Sequence, residues 1–248
     1  MSVQVAVFGA AGRMGRQVCA AVEAAEGLEL VARIDAGEDP ELAVRAGAQV
    51  AVDFTHPGAV LGNLEFCLAR GIHVVVGTSG FGPDKLAETE RLLAAAPGVG
   101  VLVAPNFSLG AVLMMKFAAQ AAAYFESVEI VELHHPDKAD APSGTALRTA
   151  QLIADARKAA GVDPSPDATV SDADHHRGGK VDDVTIHSVR LRGLVAHQEV
   201  LLGGVGETLT IRHDSLDRAS FMPGVVLGVR EVARHPGLTV GLEHYLSM

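Results

Sequence analysis

The chain contains no tryptophan, only two cysteines, and fewer basic than acidic residues, 20 Lys and Arg against 30 Asp and Glu. Cys19 and Cys67 lie in apolar helical patterns, VCAAV and NLEFCLA, without CxxC or other metal-ligand spacing, which excludes a disulfide framework and predicts two buried free thiols. A formal net charge of -10 and a pI near 5.5 argue against general affinity for phosphate backbones or anionic membranes. Any anionic ligand must therefore be caught locally. No run reaches transmembrane length, and the start, MSVQVAVFGAAG, lacks the basic region, apolar run and cleavage site of a leader. There is no repeat at solenoid periods, no helix-turn-helix and no basic patch. These absences predict a cytoplasmic protein with a small-molecule partner and no nucleic-acid, membrane or metal partner.

What is present is ample apolar content, 48% of 248 residues, enough for two modest domains. Residues 3–8, 28–34, 50–54, 72–76 and 99–103 are apolar runs of strand type. Helical patterns at 13–25, 57–70 and 83–95 alternate with them, bounded by Gly and Pro. This alternation predicts an α/β fold with a doubly wound parallel sheet, whose strand tips GAAGRMG, Asp35, DFTHP, GTSGF and APNFS converge on one crevice. After an Ala- and Met-rich helix at 109–125 the pattern changes. A strand at 128–133, a helix at 144–160 and alternating strands at 184–191, 198–203 and 208–213 predict an α+β domain with a mixed sheet. Residues 161–183, rich in Pro, Asp, Gly and His, read as a long mobile connection, in which His175 and His176 are solvated. A helix at 218–234, interrupted at Pro223 and Gly224, and a short strand at 238–242 could return to the first domain. The expected division is 1–107 with 216–248 for a dinucleotide-binding domain, and 108–215 for a substrate-binding and oligomerisation domain.

In the first domain Gly9, Ala10, Ala11, Gly12, Arg13, Met14 and Gly15 follow a strand and open a helix. The glycines permit a tight turn and close approach of a pyrophosphate to backbone amides. The spacing is GxxGxxG rather than GxGxxG. Asp35 ends the second strand, where a carboxylate accepts hydrogen bonds from an adenosine ribose and disfavours a 2'-phosphate. Arg13 and Arg16 weigh against that preference, since either could pair with a 2'-phosphate; the alternative for both is a solvated helix face. Gly77, Thr78 and Ser79, together with Ala104, Pro105, Asn106 and Phe107, could line the nicotinamide end of a cofactor or serve as turn residues only. Thr55 reads as the N-cap of the following helix.

The segment Glu132 to Ala146, ELHHPDKADAPSGTA, is the densest in chemistry. His134, His135 and Lys138 are suited to donate or relay protons near neutral pH. Pro136 prevents a regular helix that would align them for a metal. Ser143, Gly144 and Thr145 open a helix whose first amides favour an anion. Catalysis competes here with a structural reading in which the histidines hydrogen-bond a loop.

Taken together, GAAGRMG, DFTHP, GTSGF, APNFSLG and HHPDKADAPSGTA resemble the dihydrodipicolinate reductases, also described as 4-hydroxy-tetrahydrodipicolinate reductases, of bacterial lysine and diaminopimelate synthesis. LVAHQEV, GETLTIRHDS and LTVGLE resemble the actinobacterial branch. The resemblance spans nearly the whole chain. It implies hydride transfer from NADH or NADPH to a cyclic imine-type dicarboxylate with loss of water, and a homotetramer built through the substrate-domain sheets. It implies His134 and Lys138 as the proton-carrying residues and His135, Gly144 and Thr145 as substrate-carboxylate contacts. Cofactor contacts are implied at Gly9 through Met14, Asp35, Gly77 through Ser79 and Ala104 through Phe107. The family's acidic ribose contact is often followed by Arg, whereas Ala36 follows Asp35 here, which leaves the choice between NADH and NADPH open. The reacting carbon must come within roughly 3 to 3.5 Å of the nicotinamide, which predicts hinges near 107–110 and 215–217. Two other readings remain: a different two-domain nicotinamide oxidoreductase, and a redox sensor that binds NADH without consuming it.

Overall fold

The computed structural model describes residues 2–246, apart from the side chain of His175. In chain order the first elements are β1 (Val3–Phe8), α1 (Arg13–Ala24), β2 (Leu28–Ile34), α2 (Glu41–Arg45), β3 (Val50–Asp53) and α3 (Val60–Leu68). β4 (His73–Val76), α4 (Pro83–Leu93), β5 (Gly100–Val103) and α5 (Leu109–Ala122) follow. Then come β6 (Ser127–His134), α6 (Gly144–Ala160), β7 (Gly179–Val181), β8 (Val184–Arg190), β9 (Ala196–Gly204) and β10 (Glu207–Ser215). The chain closes with α7 (Met222–Glu231) and β11 (Gly237–Val240).

The described residues divide into two units, one running up to Ser108 and resuming at Arg218, the other spanning Leu109–Asp217. The first holds a six-stranded sheet in the order β11-β5-β4-β3-β1-β2, parallel throughout. All four residues of β3 and of β5 are buried, as expected for strands covered on both faces. The strand order reverses between β1 and β3, so their carboxyl ends form the crevice where such sheets bind ligands. Cys19 and Cys67 are both free and buried, and burial pushes the Cys67 thiol up to about 12.

The second unit has a five-stranded mixed sheet, β10-β9-β6-β8-β7, in which only β6 and β8 run parallel. Val128 and Ile130 of β6, Val184 and Ile186 of β8, and Val200 and Leu202 of β9 form one apolar face. Ala118 and Ala122 of α5 and Ala146, Ala150 and Ile153 of α6 pack on it. Each fully buried Ile or Val side chain contributes roughly 1.5–3 kcal/mol. The α6 boundaries follow local rules: the Ser143 hydroxyl accepts from the Ala146 amide at 3.1 Å, and Gly161 ends the helix at φ 68.

Several expectations need correction. α3 begins at Val60 rather than at Pro57, and Thr55 is not its N-cap. The Thr55 hydroxyl instead donates to Asp53 Oδ1 at 2.7 Å, which turns it away from the helix amides. Pro223 and Gly224 do not interrupt α7: Pro223 occupies its first turn, where no backbone donor is needed. Residues 161–183 have little regular structure, as expected, but they include β7 and several polar contacts to the rest of the unit. The Arg157 guanidinium, only 1% exposed, donates to Phe125 O at 2.7 Å, Glu126 O at 3.1 Å and Asp163 O at 2.6 Å. Further along, Ser165 Oγ accepts from the Val128 amide, and Arg177 pairs with Glu129. Polar anchors of this kind leave no apolar periodicity to read. His176 hydrogen-bonds through Nδ1 to Ala173 O, while the expectation for the His175 side chain lies outside the described residues. Among the described residues no helix is long and apolar enough to cross a membrane.

Candidate active site

At the tip of β1 the chain turns through Gly9 at φ 77, and the Gly12 amide donates to Gly9 O at 3.0 Å. A Cβ at Gly9 would come within 2.6 Å of Phe54 O at the β3 tip, and one at Gly15 within 2.0 Å of Gly9 O. Only glycine fits at either position. α1 starts at Arg13 with Gly12 as its cap, without a capping side chain and without an acidic residue in the first turn. A helix end of this kind suits a phosphate, so the segment Gly9, Ala10, Ala11, Gly12, Arg13 and Met14 fits a dinucleotide pyrophosphate. The Ala11 amide donates to both oxygens of Asp35, 3.0 Å each, which seats that carboxylate against the glycine turn. An open cavity of about 370 Å³ lies beside it, lined by Ala10, Ala11, Arg16, Cys19, Arg33 and Asp35 among others. Arg16 Nε donates to Ala11 O at 2.8 Å, and Arg33 pairs with Glu23. Arg33 was not anticipated; its signal is the strand period of two, which places it on the same face of β2 as Asp35.

The tips of β3 and β4 and the helix α3 gather around a buried carboxylate, Asp53, which is 1% exposed. Its Oδ1 accepts from the Thr55 amide at 3.0 Å, the Thr55 hydroxyl at 2.7 Å and the Thr78 hydroxyl at 2.6 Å. Its Oδ2 accepts from Asn63 Nδ2 at 2.7 Å. Sequence reasoning missed this hub because its partners come from three different segments. Gly77 lies under the Phe54 ring, and a Cβ there would meet that ring at 2.2 Å. Phe54 in turn packs against Phe107, ring centroids 5.6 Å apart. The Phe107 side chain is thus buried, at 3% exposed, as is Thr78 at 7%. Ser79 and Pro105 are exposed, Ala104 is buried, and Asn106 Oδ1 accepts from the Ser108 amide at 2.8 Å.

In the second unit the buried face of β6 reads Val128, Ile130, Glu132 and then His134, so the apolar stripe turns into a polar one at the carboxyl end of the strand. Glu132 is 0% exposed. The parallel register sets Ser188 of β8 opposite Glu132 and Arg190 opposite His134. Arg190 grips both carboxylate oxygens, Nη1 to Oε2 at 3.0 Å and Nη2 to Oε1 at 2.8 Å, while His134 Nδ1 hydrogen-bonds to Oε2. Burial alone would raise the Glu132 carboxyl, but hydrogen bonds from His134, Arg190 and Ser188 outweigh it and hold it at about 2. Arg190 Nη2 also donates to Asp140 O at 2.6 Å, and Lys138 Nζ donates to Asp140 Oδ1 at 2.7 Å. His135 starts a turn closed by the Lys138 amide donating to His135 O at 3.3 Å. Ser143, Gly144 and Thr145 follow at the start of α6, whose first turn carries no acidic residue. His134, Lys138 and their supports thus form one connected cluster. The lysine is held by hydrogen bonding to a carboxylate rather than left exposed.

Residues 3–107 match the family model for the N-terminus of dihydrodipicolinate reductase, and residues 110–246 match the model for its C-terminus. The chain is 61% identical over 248 residues to a 4-hydroxy-tetrahydrodipicolinate reductase of Nocardia farcinica, covering 100% of both chains. It is 61% identical over 246 residues to the Streptomyces coelicolor protein of the same name, covering 99% of this chain and 98% of that one. A solved structure, dipicolinate-bound dihydrodipicolinate reductase from Paenisporosarcina sp. TG-14, superposes with a TM-score of 0.86 at 38% identity, covering 99% and 100% of the two chains. A myo-inositol 2-dehydrogenase from Lactobacillus plantarum, at TM-score 0.64 and 10% identity, shares the fold alone. With both halves matched and full-length relatives at this identity, the chain belongs to the dihydrodipicolinate reductase family.

Proposed function

We propose that this chain reduces 4-hydroxy-tetrahydrodipicolinate to tetrahydrodipicolinate in lysine and diaminopimelate biosynthesis. The reaction consumes one NADH or NADPH and one proton and releases water. The observation that carries the reading is the cluster at the end of β6, where two proton-carrying side chains, His134 and Lys138, precede a helix start suited to an anion. When bound, the dinucleotide supplies the hydride. Gly9 through Met14 hold its pyrophosphate, and Asp35 accepts from its ribose. Gly77 through Ser79 and Ala104 through Phe107 border the nicotinamide. His135 and the amides of Gly144 and Thr145 take a substrate carboxylate, with Ser143 fixing the helix start.

Hydride arrival leaves negative charge on the substrate. The Lys138 ammonium stabilises that charge and, with His134, brings the proton that balances it. The first unit then serves the cofactor, and Leu109–Asp217 serves the substrate and assembly. Exposed Leu201, Val205 and Leu209 on and between β9 and β10 support a homotetramer formed through that sheet.

The test is steady-state oxidation of NADH and NADPH with the condensation product of pyruvate and aspartate semialdehyde. Cofactor consumption dependent on that compound is expected. Binding of the cofactor without consumption would favour the sensor reading, and turnover only with polyols or amino acids would favour another dehydrogenase.

A further inference from the structure

We propose that Glu132 is a positioning residue for the reduction. Its buried carboxylate, shared between His134 and Arg190, fixes the His134 ring with Nδ1 protonated, so that protons enter and leave through Nε2 alone. The proposal rests on the reading of His134 as a proton-carrying group.

The geometry leaves one assignment for the ring. An ionised carboxylate only accepts hydrogen bonds, so the nitrogen facing it must carry a proton. Arg190, always cationic, keeps Glu132 ionised by holding both of its oxygens at 3.0 and 2.8 Å. Neutral His134 therefore presents a lone pair at Nε2, and the cationic ring presents a proton there. The same guanidinium reaches Asp140 O at 2.6 Å, and Asp140 holds Lys138 at 2.7 Å. One carboxylate–guanidinium pair thus sets the ring of His134 and the loop that carries Lys138.

A purely structural role is the weaker explanation. An ion pair on a buried carboxylate adds little stability compared with well-packed apolar residues, and beyond this network and its neighbour Ser188 the same face is apolar: Val128 and Ile130 on β6, Val184 and Ile186 on β8. The charged pair begins where that face reaches His134. A carboxylate behind a working histidine is a general way of fixing its tautomer.

The experiment combines nitrogen NMR of histidine-labelled protein with kinetics of Glu132→Gln, Glu132→Asp and His134→Ala, the last also assigning the His134 signals. In the unsubstituted protein His134 is expected as the Nδ1-protonated tautomer. In Glu132→Gln, Arg190 claims the amide oxygen and the amide N–H faces the ring, so the tautomer inverts to Nε2-protonated. Turnover should fall about 10- to 100-fold, with KM for both substrates moving by less than about threefold, and Glu132→Asp should recover part of the loss. Retention of the Nδ1 tautomer in Glu132→Gln, or turnover within about twofold of the unsubstituted protein, overturns the proposal. If Glu132→Gln does not fold, the unsubstituted spectrum decides, because an Nε2-protonated His134 overturns it alone. Normal turnover in His134→Ala would remove the underlying reading of His134 and the proposal with it. Normal Glu132→Gln beside a crippled His134→Ala removes the proposal only.

Discussion

The two units solve the problem of making a site in opposite ways. In the first, the proposed cofactor site is mostly backbone: glycine turns and helix amides at the tips of a parallel sheet, with Asp35 as the carboxylate beside them and other side chains small or packed away, as Phe107 and Thr78 are. In the second, a strand face that is apolar for most of its length ends in a charged network, Glu132, His134 and Arg190, built across two neighbouring strands. A backbone site tolerates no added atoms, because its walls cannot move. A side-chain site tolerates no change of charge, because its members hold one another.

That contrast can be broken by substitutions that respect one logic and violate the other. The largest effect is expected for Lys138→Ala, which should lower turnover by a factor on the order of 10² to 10⁴ while the Kd for NADH stays unchanged by fluorescence titration. An equal loss of cofactor binding would mean the division of labour is wrong.

Next comes acid stability. Glu132 is held at about 2 in the folded protein, below an ordinary carboxyl. Its contribution is therefore complete above the ordinary carboxyl range and is lost as pH falls from there through about 2. Denaturant unfolding followed at decreasing pH should show the unsubstituted protein losing roughly 3 kcal/mol more than Glu132→Gln. Parallel curves would show that the carboxylate is not the acid-sensitive element.

A smaller kinetic effect is expected for Gly15→Ala, whose Cβ would have to displace Gly9 O from 2.0 Å. KM for NADH should rise about tenfold or more, while the substrate KM stays level. The smallest is Arg16→Ala. A few-fold rise in KM for NADPH and little change for NADH would place a 2'-phosphate near that guanidinium, and equal effects would return Arg16 to its role of bracing Ala11 O.

The same contrast explains what was legible in the sequence. The parallel sheet, the glycine turn and the start of α6 are local: Gly9, Gly12 and Gly15, or Ser143 followed by Gly and Thr, mean the same thing wherever they stand after a strand or loop. The alternation of strands and helices suffices for the first sheet for the same reason. Arg190 was invisible because it meets Glu132 across 58 residues of sequence, through a strand register that no local pattern encodes. Asp53 was missed likewise, since Thr78 reaches it from 25 residues away. The error at Thr55 has a local cause instead: Asp53, two residues back, accepts its hydroxyl, so Thr55 does not cap the helix. Residues 161–183 looked loose because hydrogen bonds to Arg157 and pairing with Glu129 have no periodicity.

The return of the chain end to the first sheet bears on how the protein is made. β11 pairs with β5 only after all of Leu109–Asp217 has been synthesised. Until then β5 offers an unpaired edge of buried-type residues, Gly100 to Val103, to whatever strand comes near. A nascent chain halted before Gly237 would therefore be prone to sticking edge to edge, and the final residues act as the cover that ends that exposure.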